Sequence, residues 1–123
     1  MTGEDLKPIV WVASSRKDLR ALPPIVRRTF GLALYLAQGG ERPPEAKPLS
    51  GFSGAGVLEM IEDHKGDTYR AVYTVRFATK IYVLHVFQKK SKRGIATPKH
   101  DLDLIRDRLR VAQQLYAGTS KEK

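Results

Sequence analysis

The stretch TYRAVYTVRFATKIYVLHVFQKK, residues 68–90, predicts two strands separated by a short turn. Two sets of side chains alternate along its first half: Tyr69, Ala71, Tyr73, Val75 and Phe77 on one face, and Arg70, Val72, Thr74 and Arg76 on the other. A period of two indicates a strand with one face in the core. We expect the arginine-bearing face to be at least partly open. The second half, from Ile81 to Phe87, is apolar on both faces, which predicts a central strand of the sheet.

The remaining patterns place this pair of strands in a small domain. We expect a strand at 9–12, helices at 15–22 and from Pro23-Pro24 to Gly39-Gly40, a long loop at 40–56, a strand at 57–64, and a helix from Pro98 to about Tyr116. Ser15 and Thr97 are expected to cap the helices that begin there. The order β-α-α-β-β-β-α predicts a single α+β domain over residues 1–117, with a mainly antiparallel sheet and helices packed on one face. Residues 118–123 are expected to form a disordered tail.

Composition excludes several classes of function. The chain has 123 residues and no cysteine, so disulfides and thiolate metal sites are excluded. Its three histidines are scattered without ligand spacing, so we expect no metal and no cofactor. No apolar run approaches the roughly 18 residues of a membrane span, and the beginning MTGEDLKP is polar. A cytoplasmic protein without membrane association is expected.

The positive charge is concentrated in the last third of the chain. The formal net charge is +9. Residues 1–75 hold ten Lys/Arg against nine Asp/Glu, whereas residues 76–123 hold twelve against four. Four cations, Lys89, Lys90, Lys92 and Arg93, follow the last predicted strand within five positions. This asymmetry indicates a polyanionic partner, most often a nucleic acid.

Several stretches resemble the RelE/ParE toxin superfamily, and in particular its HigB-like, phage-derived branch: YRAVYTVRF, IYVLHVFQKKSK, TPKHDLDLIRDRL and KPLSGFSGAGVLEM. The resemblance implies a RelE-like fold and the toxin of a type II toxin–antitoxin pair. Relatives of RelE and HigB cut mRNA on the ribosome without a metal ion, which makes an mRNA endoribonuclease the expected function. ParE-like members poison DNA gyrase instead, so the alternative is a non-nuclease toxin or a phage-derived nucleic-acid-binding protein. The implied partners are mRNA, the ribosome and a cognate antitoxin with a helix-turn-helix DNA-binding domain.

The resemblance also implies site residues. Arg70 matches the arginine that RelE-like nucleases carry in this strand, and a guanidinium suits the charge that develops on phosphate during cleavage. Lys89 aligns with a second basic catalytic residue. RelE has two lysines where this chain has Glu59 and Ile61, so the general base stays open between Glu59, His64, His85 and Lys47, with His85 more typical of a buried core histidine. The expected catalytic residues are Arg70, Lys89, Glu59 and His64, and the expected RNA contacts are Lys90, Lys92, Arg93, Arg76, Lys47 and Lys99.

Overall fold

The structure is a computed structural model that describes residues 6–52, 54–89 and 97–121. Eight elements follow one another along the chain: β1 Ile9–Trp11, α1 Ser15–Arg20, α2 Pro24–Gln38, β2 Ala46–Pro48, β3 Val57–His64, β4 Asp67–Thr74, β5 Ile81–Lys89 and α3 Lys99–Lys121. The α+β class and the small single domain are confirmed. Among the described residues, no helix combines the length and apolar composition that a membrane span needs.

A five-stranded sheet in the order β1-β5-β4-β3-β2 forms the centre of the domain. All neighbouring strands are antiparallel except β1 and β5, which run parallel. The hairpin between β3 and β4 turns at Lys65 and Gly66, whose φ angles are 50° and 84°. Positive φ at both central residues is the geometry that suits the right-handed twist of a two-residue hairpin.

Helices cover both faces of the sheet, which corrects the expectation that they lie on one face. One core joins α1 and α2 to the sheet through side chains such as Leu19, Phe30, Met60 and Tyr73. The other core joins α3 to the opposite face: Ile105, Leu109 and Ala112 with Val72, Tyr82 and Leu84. Because β4 and β5 carry large apolar side chains on both faces, each face needs its own cover.

The face that was expected to be open is therefore closed by α3. Arg70 and Val72 do share this face of β4, as predicted, and it is buried along the strand. The predicted alternation ends at Thr74, where β4 ends. Beyond it Val75 is exposed, and Phe77 turns to the α3 side, where its ring contacts Tyr82 and Tyr116.

Three local expectations also change. The short β2 lies inside the predicted loop and pairs with β3. The predicted capping role of Ser15 is wrong: Ser14 is the N-cap residue of α1 and its hydroxyl donates to Asp18, whereas Ser15 donates to the carbonyl of Val83. Helix α3 runs to Lys121, so residues 118–121 are helical where a tail was expected.

A β-bulge interrupts the pairing of β4 with β5. Tyr73 lies opposite Val83, but the residue before it on β4, Val72, lies opposite His85. Leu84 is the extra residue on β5. Its carbonyl accepts a hydrogen bond of 2.9 Å from Arg108 of α3. The bulge thus lets Leu84 and His85, which are neighbours in the sequence, both face α3.

Candidate active site

A buried ion pair lies at the point where β3, β4 and the beginning of α3 meet. Arg70 Nη1 is 2.6 Å from Glu59 Oε2. The hydroxyl of Thr97 accepts from Arg70 Nη1 at 2.9 Å and donates to Glu59 Oε2 at 2.8 Å. Arg70 is 2% exposed and Glu59 4% exposed. Three hydrogen bonds therefore connect three separate parts of the chain around one carboxylate oxygen.

The burial of Arg70 corrects the prediction that its side chain projects from an open face. Its strand face must be covered because Val72 on the same face belongs to the α3 core. A guanidinium buried in this way requires an anion and hydrogen-bond acceptors. Glu59, two residues from the position opposite Arg70 on β3, supplies the anion.

Lys89 reaches the same face of the sheet from β5. It lies opposite Thr68, two residues beyond the pair formed by Arg70 and Phe87. The side chain is 6% exposed. Burial lowers the pKa of Lys89 below its usual value, and the positive charge of Arg70 lowers it further, whereas Glu59 opposes both effects. The structure thus brings together three of the four predicted catalytic residues.

His64, the fourth predicted catalytic residue, is not brought to this group. It lies at the end of β3, opposite Asp67 at the hairpin turn. Five residues of extended strand separate it from Glu59, a distance of roughly 17 Å. Among the candidates for a general base, Glu59 and Lys47 remain close to the ion pair, since they lie opposite each other on β3 and β2.

His85 is a buried core histidine, as its apolar strand predicted. Its Nε2 is 2.8 Å from Asp101 Oδ1, and Arg108 Nη1 is 3.3 Å from its Nδ1. The ring also stacks on Phe87 with centroids 4.4 Å apart. Burial lowers the pKa of His85 and outweighs the opposing effect of Asp101. The neutral ring, with Nδ1 accepting from Arg108, fits this environment.

Of the residues predicted to bind RNA, Lys47, Arg76 and Lys99 lie among the described residues. Lys90, Lys92 and Arg93 lie outside the described residues. Lys99 is exposed and forms a 2.8 Å ion pair with Asp103. Arg76 is exposed beyond the end of β4, with its guanidinium 6.0 Å from the ring of Phe77. Arg76 lies six residues along the chain from Arg70 and two residues beyond the end of β4, and it has no hydrogen bond to the ion pair among the described contacts.

A pocket opens beside Glu59, and sequence reasoning missed part of its lining. Its volume is about 380 Å³, and its lining residues are Lys47, Pro48, Leu49, Ser50, Glu59, Thr97 and Leu102. Thr97 appeared from the sequence to be only a helix cap, and Ser50 and Leu102 gave no functional signal. The one available signal was the length of the loop that contains residues 47–50, since long loops in small domains are often functional.

The arrangement can position a donor against a fixed carboxylate beside two cations. This is a suitable environment for acid–base chemistry on a substrate that carries a phosphate. Among residues 6–52, 54–89 and 97–121, no group of three or more His, Cys, Asp or Glu side chains is arranged to hold a metal ion.

Comparisons with known proteins give a family match and likenesses to solved structures. The profile of the family described as "Phage derived protein Gp49-like (DUF891)" matches residues 17–110, which is more than half of the chain. A solved chain from the toxin–antitoxin complex RelBE2 of Mycobacterium tuberculosis is similar over 68% of this chain and 99% of that chain, with 21% sequence identity and a TM-score of 0.48. A search of the curated proteins gave no significant match.

Proposed function

The chain belongs to the family of phage-derived Gp49-like proteins, and on this premise we propose that it is the toxin of a type II toxin–antitoxin pair and cleaves mRNA on the ribosome. The observation that carries the nuclease proposal is the convergence of Arg70, Glu59 and Lys89 on one face of the sheet, beside a pocket. Each of the three is also a catalytic candidate on the sequence alone.

The proposed reaction is an attack of a ribose 2′-hydroxyl on the adjacent phosphorus atom. The carboxylate of Glu59 accepts the proton of the 2′-hydroxyl as the new O2′–P bond forms. The ammonium of Lys89 donates a proton to the 5′-oxygen as the P–O5′ bond breaks. The products are a 2′,3′-cyclic phosphate and a free 5′-hydroxyl, and no metal ion takes part in either proton transfer.

Arg70 has a second role in this mechanism besides the one its sequence position implied. Its guanidinium holds Glu59 through the 2.6 Å contact and keeps one carboxylate oxygen occupied. It also adds a fixed positive charge in a region of low exposure, where such a charge acts more strongly than in water. Arg70 therefore positions the base and stabilises charge on the phosphate.

The partners follow from this activity. A free nuclease that cuts translated mRNA arrests its host, so we propose a cognate antitoxin with a helix-turn-helix domain, and mRNA and the ribosome as targets in the cytoplasm. Co-expression with the adjacent reading frame tests the first point. Rescue of growth and co-purification are expected, and the absence of both would count against a toxin.

Cleavage mapping tests the nuclease itself. A reporter mRNA is translated with the wild-type protein, with Lys89→Met and with Lys17→Met, and its 5′ ends are mapped by primer extension. Lys17 is an exposed lysine of α1 and serves as the control. We expect discrete cuts with wild type and Lys17→Met and none with Lys89→Met. Growth arrest by wild type without any cut would refute the nuclease and favour a gyrase poison.

A further inference from the structure

The pocket beside Glu59 has an apolar wall and a polar rim. Pro48, Leu49 and Leu102 supply apolar wall. Lys47 and Ser50 are exposed and supply a polar rim. A volume of about 380 Å³ falls within the range of small-molecule sites, about 300–1,000 Å³. The lining therefore suits a ligand that has an apolar part and an anionic part.

The carboxylate of Glu59 gives the pocket a directed acceptor. Both hydrogen bonds that Glu59 accepts from described side chains go to Oε2. The side chain nevertheless lines the pocket, and Oε1 is the oxygen that remains for a donor there. Arg70 and Thr97 prevent the carboxylate from rotating away, so a hydroxyl that enters the pocket meets a fixed, charged acceptor.

Lys47 places a positive charge close to this acceptor. In the antiparallel pair of β2 and β3, Lys47 lies directly opposite Glu59, so both side chains project from the same face of the sheet. Lys47 is exposed, which leaves its ammonium accessible to an anion at the rim. Arg70 and Lys89 lie beside Glu59 on that face, further along the sheet. Cations thus stand on two sides of one carboxylate.

We infer that the pocket binds a single ribonucleotide unit and recognises its 2′-hydroxyl through Glu59 Oε1. The base lies against Pro48, Leu49 and Leu102, the 5′-phosphate lies at Lys47, and the 3′-phosphate lies toward Arg70 and Lys89. This inference rests on the proposed function, because it identifies the nucleotide whose 2′-hydroxyl reacts. A 2′-deoxynucleotide lacks the group that Glu59 contacts, so the pocket distinguishes RNA from DNA.

Binding of a nucleotide that cannot be cleaved tests the inference without the ribosome. The probe is adenosine 3′,5′-bisphosphate, compared by calorimetry with its 2′-deoxy counterpart. One hydrogen bond to a charged group corresponds to roughly tenfold or more in affinity, so the ribonucleotide should bind more tightly by that factor. Equal affinities, or no binding of either probe to the wild-type protein, would overturn the inference.

Two variants locate the binding in this pocket. Ser50→Trp fills the rim and should abolish binding, whereas Ala78→Trp adds the same side chain at an exposed turn before β5 and should not. Thermal melting checks that both are folded. If Ser50→Trp does not fold, Lys47→Ala replaces it and should weaken the bisphosphate more than adenosine 3′-monophosphate, which has no 5′-phosphate. Unchanged binding in Ser50→Trp or Lys47→Ala would place the nucleotide elsewhere.

The test separates this inference from the proposed function. Cuts in translated mRNA that persist in folded Ser50→Trp at the same sites would show that the nuclease does not use this pocket. If wild type binds the ribonucleotide, Ser50→Trp does not, and wild type makes no cuts, the pocket is a nucleotide site and the nuclease proposal is rejected.

Discussion

Arg70 contributes to stability as well as to the proposed chemistry. Its guanidinium is 2% exposed and shares one oxygen of Glu59 with Thr97. Removing one partner of a buried ion pair leaves an uncompensated charge, which destabilises a protein by about 3–5 kcal/mol. We therefore expect Arg70→Ala to lower the free energy of unfolding by that amount and to stop cleavage. Urea denaturation measures the first effect and primer extension the second.

An exposed ion pair provides the control for Arg70. Lys99→Ala removes a partner of Asp103 at the surface, where such pairs contribute about 0–1 kcal/mol. If Arg70→Ala and Lys99→Ala changed stability equally, the buried arrangement around Glu59 would be wrong. Replacing both Arg70 and Glu59 with apolar residues should restore part of the lost stability, because no charge then remains unpaired.

The charge of Lys89 depends on its two neighbours in opposite directions. Burial and Arg70 lower its pKa, and Glu59 raises it. We expect its ammonium to lose its proton at a lower pH than a lysine in a model peptide. Glu59→Gln should lower this pKa further and Arg70→Met should raise it. A nitrogen NMR titration of the Lys89 side chain in the three proteins measures the shifts, and movement of both variants in the same direction would contradict the proposed neighbourhood.

A polar network connects the first half of α3 to β5 and to the beginning of α1. Asp101 and Arg108 flank His85 from α3, and Arg108 also donates to the hydroxyl of Ser14 at 3.3 Å. Asp18 accepts from that hydroxyl at 2.7 Å. The network fixes the first half of α3, from which Leu102 lines the pocket. The geometry of the pocket thus depends on contacts made at β5, two strands away from Glu59.

This network makes stability depend on pH in a defined direction. The pKa of His85 is lowered from its usual 6.5, so the unfolded chain binds the proton more readily than the folded chain does. The contribution of neutral His85 to the free energy of unfolding is therefore fully present above about pH 6.5. It is lost as the pH falls toward the lowered pKa. Urea denaturation at pH 5 and pH 7 should show a smaller difference for His85→Gln than for wild type. An equal difference would show that His85 does not titrate in this range.

The sequence predicted the helices and strands better than it predicted the contacts between them. The alternation of Tyr69, Arg70 and Ala71 placed the faces of β4 correctly, because strand geometry fixes them locally. It could not show that α3 covers the face of Arg70, since this depends on packing between distant segments. For the same reason the sequence predicts Glu59 and Lys89 only as separate candidates. Their proximity, and the hydrogen bond that Thr97 donates to Glu59, depend on the fold.

The molecule as a whole carries cations on both sides of its sheet. The exposed side chains of Arg16, Lys17 and Arg20 belong to α1, which packs on the face opposite to Glu59. If the region after β5 contacts RNA, replacing Lys90, Lys92 and Arg93 with alanine should flatten the salt dependence of ribosome binding. The expected change is about one unit of the log–log slope for each lost phosphate contact.

The α1 cations provide the matched control, because the same number of charges is removed from a helix that packs on the face opposite to Glu59. The triple alanine variant at positions 16, 17 and 20 should leave the slope near that of wild type. Filter binding of ribosomes at several salt concentrations measures both variants. Equal flattening by the two would mean that net charge, rather than one surface, governs the association.

The bulge at Leu84 has a consequence for how this strand tolerates changes of length. Ile81 and Lys89 are separated by an even number of residues, and in an uninterrupted strand they would point to the same side. Ile81 instead lies in the core beneath α1 and α2, and Lys89 lies beside Arg70. Deleting Leu84 would restore strict alternation and still leave Lys89 on its present side, at the loss of one buried leucine. A single insertion or deletion elsewhere between Val83 and Lys89 would require a new irregularity in the strand. The bulge is therefore the position in this part of β5 at which one residue can be removed while the flanking side chains keep their faces.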